Sequence, residues 1–532
     1  MSAPAVRLSG ITKRFGPVTA NDDVDLRVEP GSIHGIVGEN GAGKSTLVSI
    51  LYGFYQADAG TIEVDGRPVT IASSADAIAL GIGMVHQHFM LVASFTVLEN
   101  VMLGAEGGFR LRDGRQATRA ALAGLARDYG LDVDPDALTG ELPVGLQQRV
   151  EIVKALRRGA RVLILDEPTG VLTPQETDRF FDILRALRRE GVAVVLITHK
   201  LREVMAVCDR VSVMRQGRMV AHRDIAETSR EELASLMVGR DVALEVERVA
   251  PERGAPALVA EGLGWRDARG VARLSDVSLA VAAGEILGVA GVAGNGQSEL
   301  LDVLAGIEAV QEGRLRLGER VIDRAHPADP AEMRRLGLAH VPEDRHRRAL
   351  VLPFDARENA VFGYHDGPEA GQGRWLSPRA MLARCQRLMT DYDVRPVAPR
   401  DRIAGFSGGN QQKLVLAREM EAAPAVLLVG QPTRGVDIGG IQAIHKRIVA
   451  MKKAGAAILL VSVELDEIMA LADRIVVMNA GRIVGEVARE DADRAALGRL
   501  MGGGGAETPP EPAGRPAAET SPETEAALGA GR

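Results

Sequence analysis

Short, wholly apolar runs alternate with stretches of helical period along most of this chain. "IHGIV" (33–37) reads as a strand buried on both faces, and the glycine-rich segment after it opens a helix at Lys44. "RVLIL" (161–165) and "VAVVLIT" (192–198) read as further buried strands. Apolar strands separated by helices predict an α/β fold whose mostly parallel sheet is covered on both faces.

The pattern occurs twice. "GIVGENGAGKSTLVSILYG" (35–53) matches "GVAGVAGNGQSELLDVLAG" (288–306), with Gly38 and Gly291 separated by 253 residues. "LPVGLQQRVEIVKAL" (142–156) matches "FSGGNQQKLVLAREM" (406–420), "VLILDEPTGVLT" matches "VLLVGQPTRGVD", and "VVLITHKLREVM" matches "ILLVSVELDEIM", each at an offset of 264 residues. A period this long is a duplicated domain, not a solenoid. The halves are expected at 5–242 and 257–501, joined by a charged, Pro/Gly-containing linker at 243–256. From residue 502 to 532 the chain is rich in Gly, Pro, Glu and Thr, which cannot bury a core and predict a disordered tail.

Composition agrees with two soluble domains, since 532 residues exceed what one core holds. Aromatics are 3%, so the cores must be aliphatic. A net charge of −7 without a basic block argues against a nucleic-acid partner. The two cysteines, Cys208 and Cys385, give neither a disulfide framework nor a Cys-based zinc site. No signal-peptide pattern and no apolar run of about 18 residues occurs, so the chain is not expected to cross a membrane by itself.

"GENGAGKST" (38–46) lies between a predicted strand and a predicted helix, the context a phosphate-binding loop requires. Backbone N–H groups of Gly38, Glu39, Asn40, Gly41, Ala42, Gly43 and Thr46 would surround the phosphates, with Lys44 on the β- and γ-phosphates and Ser45 on Mg²⁺. "LILDEPT" ends a strand in two carboxylates. Asp166 is suited to holding Mg²⁺, and Glu167 to orienting or deprotonating the attacking water. His199 follows the next strand, within reach of a γ-phosphate. Gln87 could bind Mg²⁺ or the attacking water, whereas the flanking His86 and His88 make a poor metal site, with no Cys or carboxylate nearby. Phe15 could stack on adenine.

A phosphate-binding loop, Gln87, "FSGGNQQ" (406–412) just before the strand pattern whose half-one counterpart ends in Asp166 and Glu167, and His199 together resemble the ATP-binding-cassette (ABC) ATPases, twice over and across nearly all of residues 5–501. "FSGGNQQ" is similar to the LSGGQ signature of that superfamily. The resemblance implies tandem P-loop NTPase domains. Each would have a RecA-like, mostly parallel core, an antiparallel β subdomain and a helical subdomain. The cofactors would be ATP and Mg²⁺. The tandem layout looks like fused ATPase subunits of bacterial sugar and nucleoside importers, and "GIGMVHQHFMLV", "VPEDRH" and "QPTRGVD" most resemble the nucleoside-type branch.

In that superfamily two cassettes pair head to tail, each ATP lying between one P-loop and the opposing signature. Site one would join the first P-loop to Ser407, Gly408 and Gly409 and keeps Lys44, Ser45, Gln87, Asp166, Glu167 and His199, with Asn410 replacing the usual signature Gln. Site two would have Gln297 for Lys, Gly430 for Asp, Gln431 for Glu, Val463 for His and Glu343 for the Q-loop Gln, opposite a signature in which Pro143 and Val144 replace Ser and Gly. One charge at about 4 Å is worth on the order of 4 kcal/mol at an effective dielectric near 20, roughly a thousandfold in an equilibrium constant. Loss of the carboxylate base costs a further factor of about 10²–10⁴ in rate. Site one is therefore expected to hydrolyse, and site two to clamp or bind weakly. Thr173 stands where the family has Asp, a residue that half two keeps as Asp437.

The resemblance further implies two integral-membrane permease subunits, an extracytoplasmic solute-binding protein, and a peripheral position at the cytoplasmic face of the bacterial inner membrane. The apolar segment 89–103 would receive a permease coupling helix, half of it packing its own subdomain. Nucleoside is the first expected solute and simple sugar the second. The alternative is a soluble tandem cassette acting on ribosomes or nucleic acid, and the short linker and single degenerate site argue against it.

Overall fold

The computed structural model describes residues 3–86, 90–106, 111–170, 172–239, 253–292, 294–367, 370–372 and 375–502. Most of the expected linker and the C-terminal tail therefore lie outside the described residues.

Each half is built on a six-stranded sheet of the same order. In half one the order is Arg218–Asp224, Arg210–Arg215, Ile33–Gly38, Ala193–Ile197, Val162–Asp166 and Ile82–Val85. In half two it is Arg482–Ala488, Arg474–Asn479, Ile286–Ala290, Ala457–Ser462, Val426–Gly430 and Leu338–Val341. All neighbours pair in parallel except the outermost strand at one edge, which returns antiparallel. The apolar runs are explained by burial on both faces. Ile33–Val37, Leu163–Leu165 and Ala193–Ile197 are at most 3% exposed, and their side chains divide between two aliphatic cores on opposite faces of the sheet.

A four-stranded antiparallel sheet covers one face of each core, ordered Val18–Val28, Val6–Phe15, Ala59–Val64 and Arg67–Val69 in half one. Its counterpart in half two runs Ala272–Ala282, Pro256–Arg266, Glu312–Leu317 and Arg320–Ile322. Helices Val97–Met102, Leu111–Tyr129 and Val144–Arg157 make a helical layer in half one, matched by Ala356–Val361, Pro378–Asp391 and Gly408–Met420 in half two. The halves meet through their own counterparts. Helix Pro174–Arg189 packs on Arg494–Met501, and the corresponding Ile438–Lys453 packs on Arg230–Val238. This reciprocity makes the chain a pseudo-two-fold dimer of its halves.

Candidate nucleotide site

The first phosphate loop leaves its strand at Gly38 and enters helix Lys44–Leu51 through Gly43, whose φ of 99° only glycine adopts freely. A Cβ on Gly43 would collide with the Ala20 carbonyl oxygen. Lys44 is 6% exposed. Its ammonium donates to the carbonyls of Gly38 (2.7 Å) and Glu39 (3.0 Å). Burial pulls its pKa below the ordinary lysine value, against the opposing pull of Glu167, Asp166 and Glu39.

Asp166 ends its strand beside this loop and accepts a hydrogen bond from Ser45. Burial, with the adjacent Glu167 charge, raises the Asp166 carboxyl above its usual range. Glu167 sits in the left-handed region at φ 48°, a costly conformation for a carboxylate residue, which turns its side chain out of the strand line. His199 Nδ1 lies 2.9 Å from Glu167 Oε1, and this bond is the main reason the Glu167 pKa falls although burial works the other way. The following Pro168 carbonyl accepts from buried Gln148 (2.9 Å), tying the carboxylate turn to helix Val144–Arg157.

Half two keeps the backbone and replaces the chemistry. Gly296 (φ 101°) opens helix Gln297–Leu304 as Gly43 does its own, and Gln431 repeats the strained turn at φ 50°. Gln297 is 5% exposed and donates to the Val292 carbonyl (3.1 Å), so its amide satisfies the loop from within. Where half one has Asp166, Gly430 leaves room for Glu343, whose Cγ would be 2.7 Å from a Cβ placed there. Glu343 hydrogen-bonds Ser298 and accepts from Gln431 Nε2 (3.4 Å), while Gln431 Oε1 accepts from the Val463 backbone (3.3 Å). A polar network of Ser298, Glu343, Gln431 and the Val463 backbone thus occupies the ground where half one has the Ser45–Asp166 pair.

Both loops line one large cavity between the halves, together with Asp166, Glu167, His199, Gln297, Ser298, Glu343 and Gln431. Ser407, Gly408 and Gly409 do not line it; its wall there is Thr433–Val436, directly behind which Gly409 packs on the Gly435 carbonyl. Ser407 caps helix Gly408–Met420, its Oγ accepting from Asn410. Pro143, at the same place in half one, supplies no side-chain cap to Val144–Arg157. Phe15 is outside this wall and packs edge-to-face on Tyr55 at 5.2 Å, a partner the sequence reading did not find. Gln87 and His88 lie outside the described residues, while His86 stacks near Phe54.

A sequence profile described as ABC transporter matches residues 21–170 and 274–434, more than half of the chain. The chain belongs to the ABC transporter family. It is similar to the guanosine import ATP-binding protein NupO of Bacillus subtilis (strain 168), at 44% identity over 94% of this chain and 97% of that protein. The glucose import ATP-binding protein TsgD13 of Haloferax volcanii is 45% identical over 94% of this chain and 96% of its own length. An archaeal ribosome recycling factor, aABCE1, superposes with a TM-score of 0.61 over 92% of each chain at 19% identity, a likeness of fold alone.

As an ABC ATPase, the chain binds and hydrolyses ATP, and its tandem cassettes are the expected α/β P-loop domains. The position of Thr173 in the first cassette now has a physical account. Thr173 and Asp437 are both N-caps of the helix that follows, Thr173 in a capping box with Glu176 and Asp437 accepting from Gly440 (2.6 Å). Arg345 and Arg434 are among the further cations in the cavity wall, and burial with their mutual repulsion lowers the Arg345 pKa. Arg345 belongs to "VPEDRH", so its motif was visible, though its position beside the signature helix was not.

Proposed function

We propose that this ABC ATPase energises import of a small solute, a nucleoside first and a simple sugar second, and that only one of its two nucleotide sites turns over. The observation that carries the import reading is similarity at 44% and 45% identity to import ATP-binding proteins along both cassettes. The asymmetry is supported by the contrast in side-chain chemistry between two loops of the same backbone. Lys44, Asp166, Glu167 and His199 present a cation, a carboxylate pair and an imidazole to the cavity, where Gln297, Gly430, Gln431 and Val463 present none of these.

In this reading ATP is held by Gly38–Thr46, with Phe15 near the base and Ser407, Gly408 and Gly409 brought to the γ-phosphate from the other half on closure. Ser45 and Asp166 already face each other through a hydroxyl–carboxylate bond, an oxygen donor set that fits Mg²⁺, with Gln87 as a further ligand. Bound there, Mg²⁺ would neutralise charge on the terminal phosphates. Glu167, kept ionised by His199, orients or deprotonates the attacking water.

No described helix is long and apolar enough to cross a membrane. Similarity to import ATP-binding proteins supports as partners two integral-membrane permease subunits and an extracytoplasmic solute-binding protein, with this chain peripheral at the cytoplasmic face of the inner membrane and no nucleic acid involved. Met90, Val92, Phe95 and Leu103 are exposed while Val97, Leu98, Val101 and Met102 are core, so half of this apolar segment is free to receive a permease helix. The test is uptake by proteoliposomes holding the chain with its permease and binding protein, offered a panel of nucleosides and sugars. ATP-dependent nucleoside uptake that disappears with Lys44→Ala is expected, and uptake of neither class would overturn the reading.

A further inference from the structure

Two residues that meet their own counterparts mark the pseudo-two-fold axis. Lys200 and Glu464 occupy the same position in the two halves, 264 residues apart, and their side chains are joined at 2.9 Å. Arg202 and Asp466 are related by the same offset and joined at 3.2 Å. In a two-fold contact, a residue that touches its own equivalent sits beside the axis. Here each such pair is cation on half one and anion on half two. A pairing of half one with another half one would set Lys200 against Lys200 and Arg202 against Arg202. A pairing of half two with half two would set Glu464 and Asp466 against themselves.

Local helix energetics do not account for the lysine. Lys200 and Glu464 are N-caps of the matching helices Leu201–Val207 and Leu465–Leu471, with nearly the same backbone angles, and neither makes a side-chain cap. Acidic residues favour a helix N-terminus and cations oppose it, so Glu464 suits its helix and Lys200 does not. What Lys200 gains is across the axis. Burial pulls its ammonium down, and the carboxylates of Glu464, Glu203 and Asp466 more than offset this, holding the pKa above its ordinary value. Arg494 also reaches Asp466 from within half two, and Lys200 lies 3.9 Å from Glu203 within half one, so each face carries its charge on a supported side chain.

We propose that these four charges are the pairing code of the molecule, a surface on half one that accepts half two and rejects a second copy of itself. Partly exposed ion pairs add little affinity, because water and salt screen them and ordering the side chains has an entropic cost. Juxtaposed like charges are a stronger effect, and specificity is set by what they forbid. The consequence for chemistry rests on the composite-site reading above. Half one paired with itself would set Lys44 opposite the Pro143 segment, and half two with itself would set Gln297 opposite Ser407. Only the mixed pairing puts Lys44 opposite Ser407, so a code on the axis protects the one complete site.

The test uses the full chain with reporter cysteines at Gln175→Cys and Gly498→Cys, whose positions touch across the halves, and a short bismaleimide. The native Cys208 and Cys385 are buried and serve as the background. Three charge variants are compared: Lys200→Glu with Arg202→Asp, Glu464→Lys with Asp466→Arg, and all four together. Each like-charged pair is expected to lower intrachain cross-linking about tenfold at low salt, with partial recovery at high salt, and to gain no interchain product, because every pairing of halves is then like-charged. The fourfold exchange is expected to restore the intrachain product to within about twofold. The exchange is made together with Arg494→Gln and Glu203→Gln, which otherwise pair with Asp466 and Lys200 within their own halves; it then restores opposite charges across the axis, and a general folding defect would persist in it. Unchanged cross-linking in the like-charged pairs, or failure of the exchange to restore it, would overturn the proposal. Cross-linking that follows the code while ATP turnover ignores it would leave the pairing code standing and count against the composite-site reading alone.

Discussion

His199 Nδ1 and Glu167 Oε1 stand 2.9 Å apart just beyond the ends of two neighbouring strands, and this contact is the main reason the Glu167 carboxyl lies below its usual range. Glu167 is held below the ordinary carboxylate value of 4.5 by His199 first, with burial opposing and Lys44 and Lys200 assisting. A lowered pKa means that the ionised base persists as pH falls past the usual carboxylate range and is lost only below it. In His199→Ala the hydrogen bond goes and burial stays. The acid limb of the ATPase pH profile is therefore expected to move to higher pH, measured as normalised phosphate release. An unmoved limb would show that His199 does not tune Glu167.

Restoring the missing cation is not expected to revive the second site. In Gln297→Lys the new ammonium would face the Val292 carbonyl, beside a Glu343 already engaged by Ser298 and Gln431. Neither Gly430 nor Gln431 supplies a carboxylate. Measured in a Glu167→Gln background, where site one is silent, turnover in Gln297→Lys should stay within about twofold of background, since a base is worth about 10²–10⁴ in rate.

Thr173 is predicted to matter for stability, not for chemistry. Its hydroxyl accepts from the Glu176 N–H while Glu176 reaches back to its backbone. Thr173→Ala should cost about 1 kcal/mol, read as a lower midpoint in thermal or urea unfolding. Thr173→Asp, the residue that half two uses at this cap, should cost little.

The exposed apolar residues of half one supply a separate test of partner binding. Met90 and Phe95 are 61% and 37% exposed, whereas Val97 and Leu98 nearby are fully buried. Met90→Asp with Phe95→Asp should leave ATP binding intact and reduce co-sedimentation with permease-containing membranes. Equal losses in both assays would place these residues in the fold instead.

Much of this was legible in sequence because the repeat supplies its own internal comparison. Buried parallel strands announce themselves as unbroken apolar runs, and the two glycine loops align with their strands and helices. The Thr173–Glu176 capping box is also in the letters, as T-x-x-E ahead of an apolar helix face. The Glu343 network was not legible, since it depends on the absence of a side chain at Gly430 and on where a distant loop lands. Offsets of 264 pair Lys200 with Glu464 on paper, but only the helix packing between halves brings them into contact. The packing of Phe15 on Tyr55 is likewise a product of how two loops converge.

The central claim is that one nucleotide site works and the other does not. Steady-state ATP turnover of Glu167→Gln compared with Gln431→Ala, in the full chain with its permease, tests it most directly. Glu167→Gln is expected to lose at least about a hundredfold, the lower bound for a missing base, while Gln431→Ala keeps most of the rate. Comparable losses in the two variants would contradict the account.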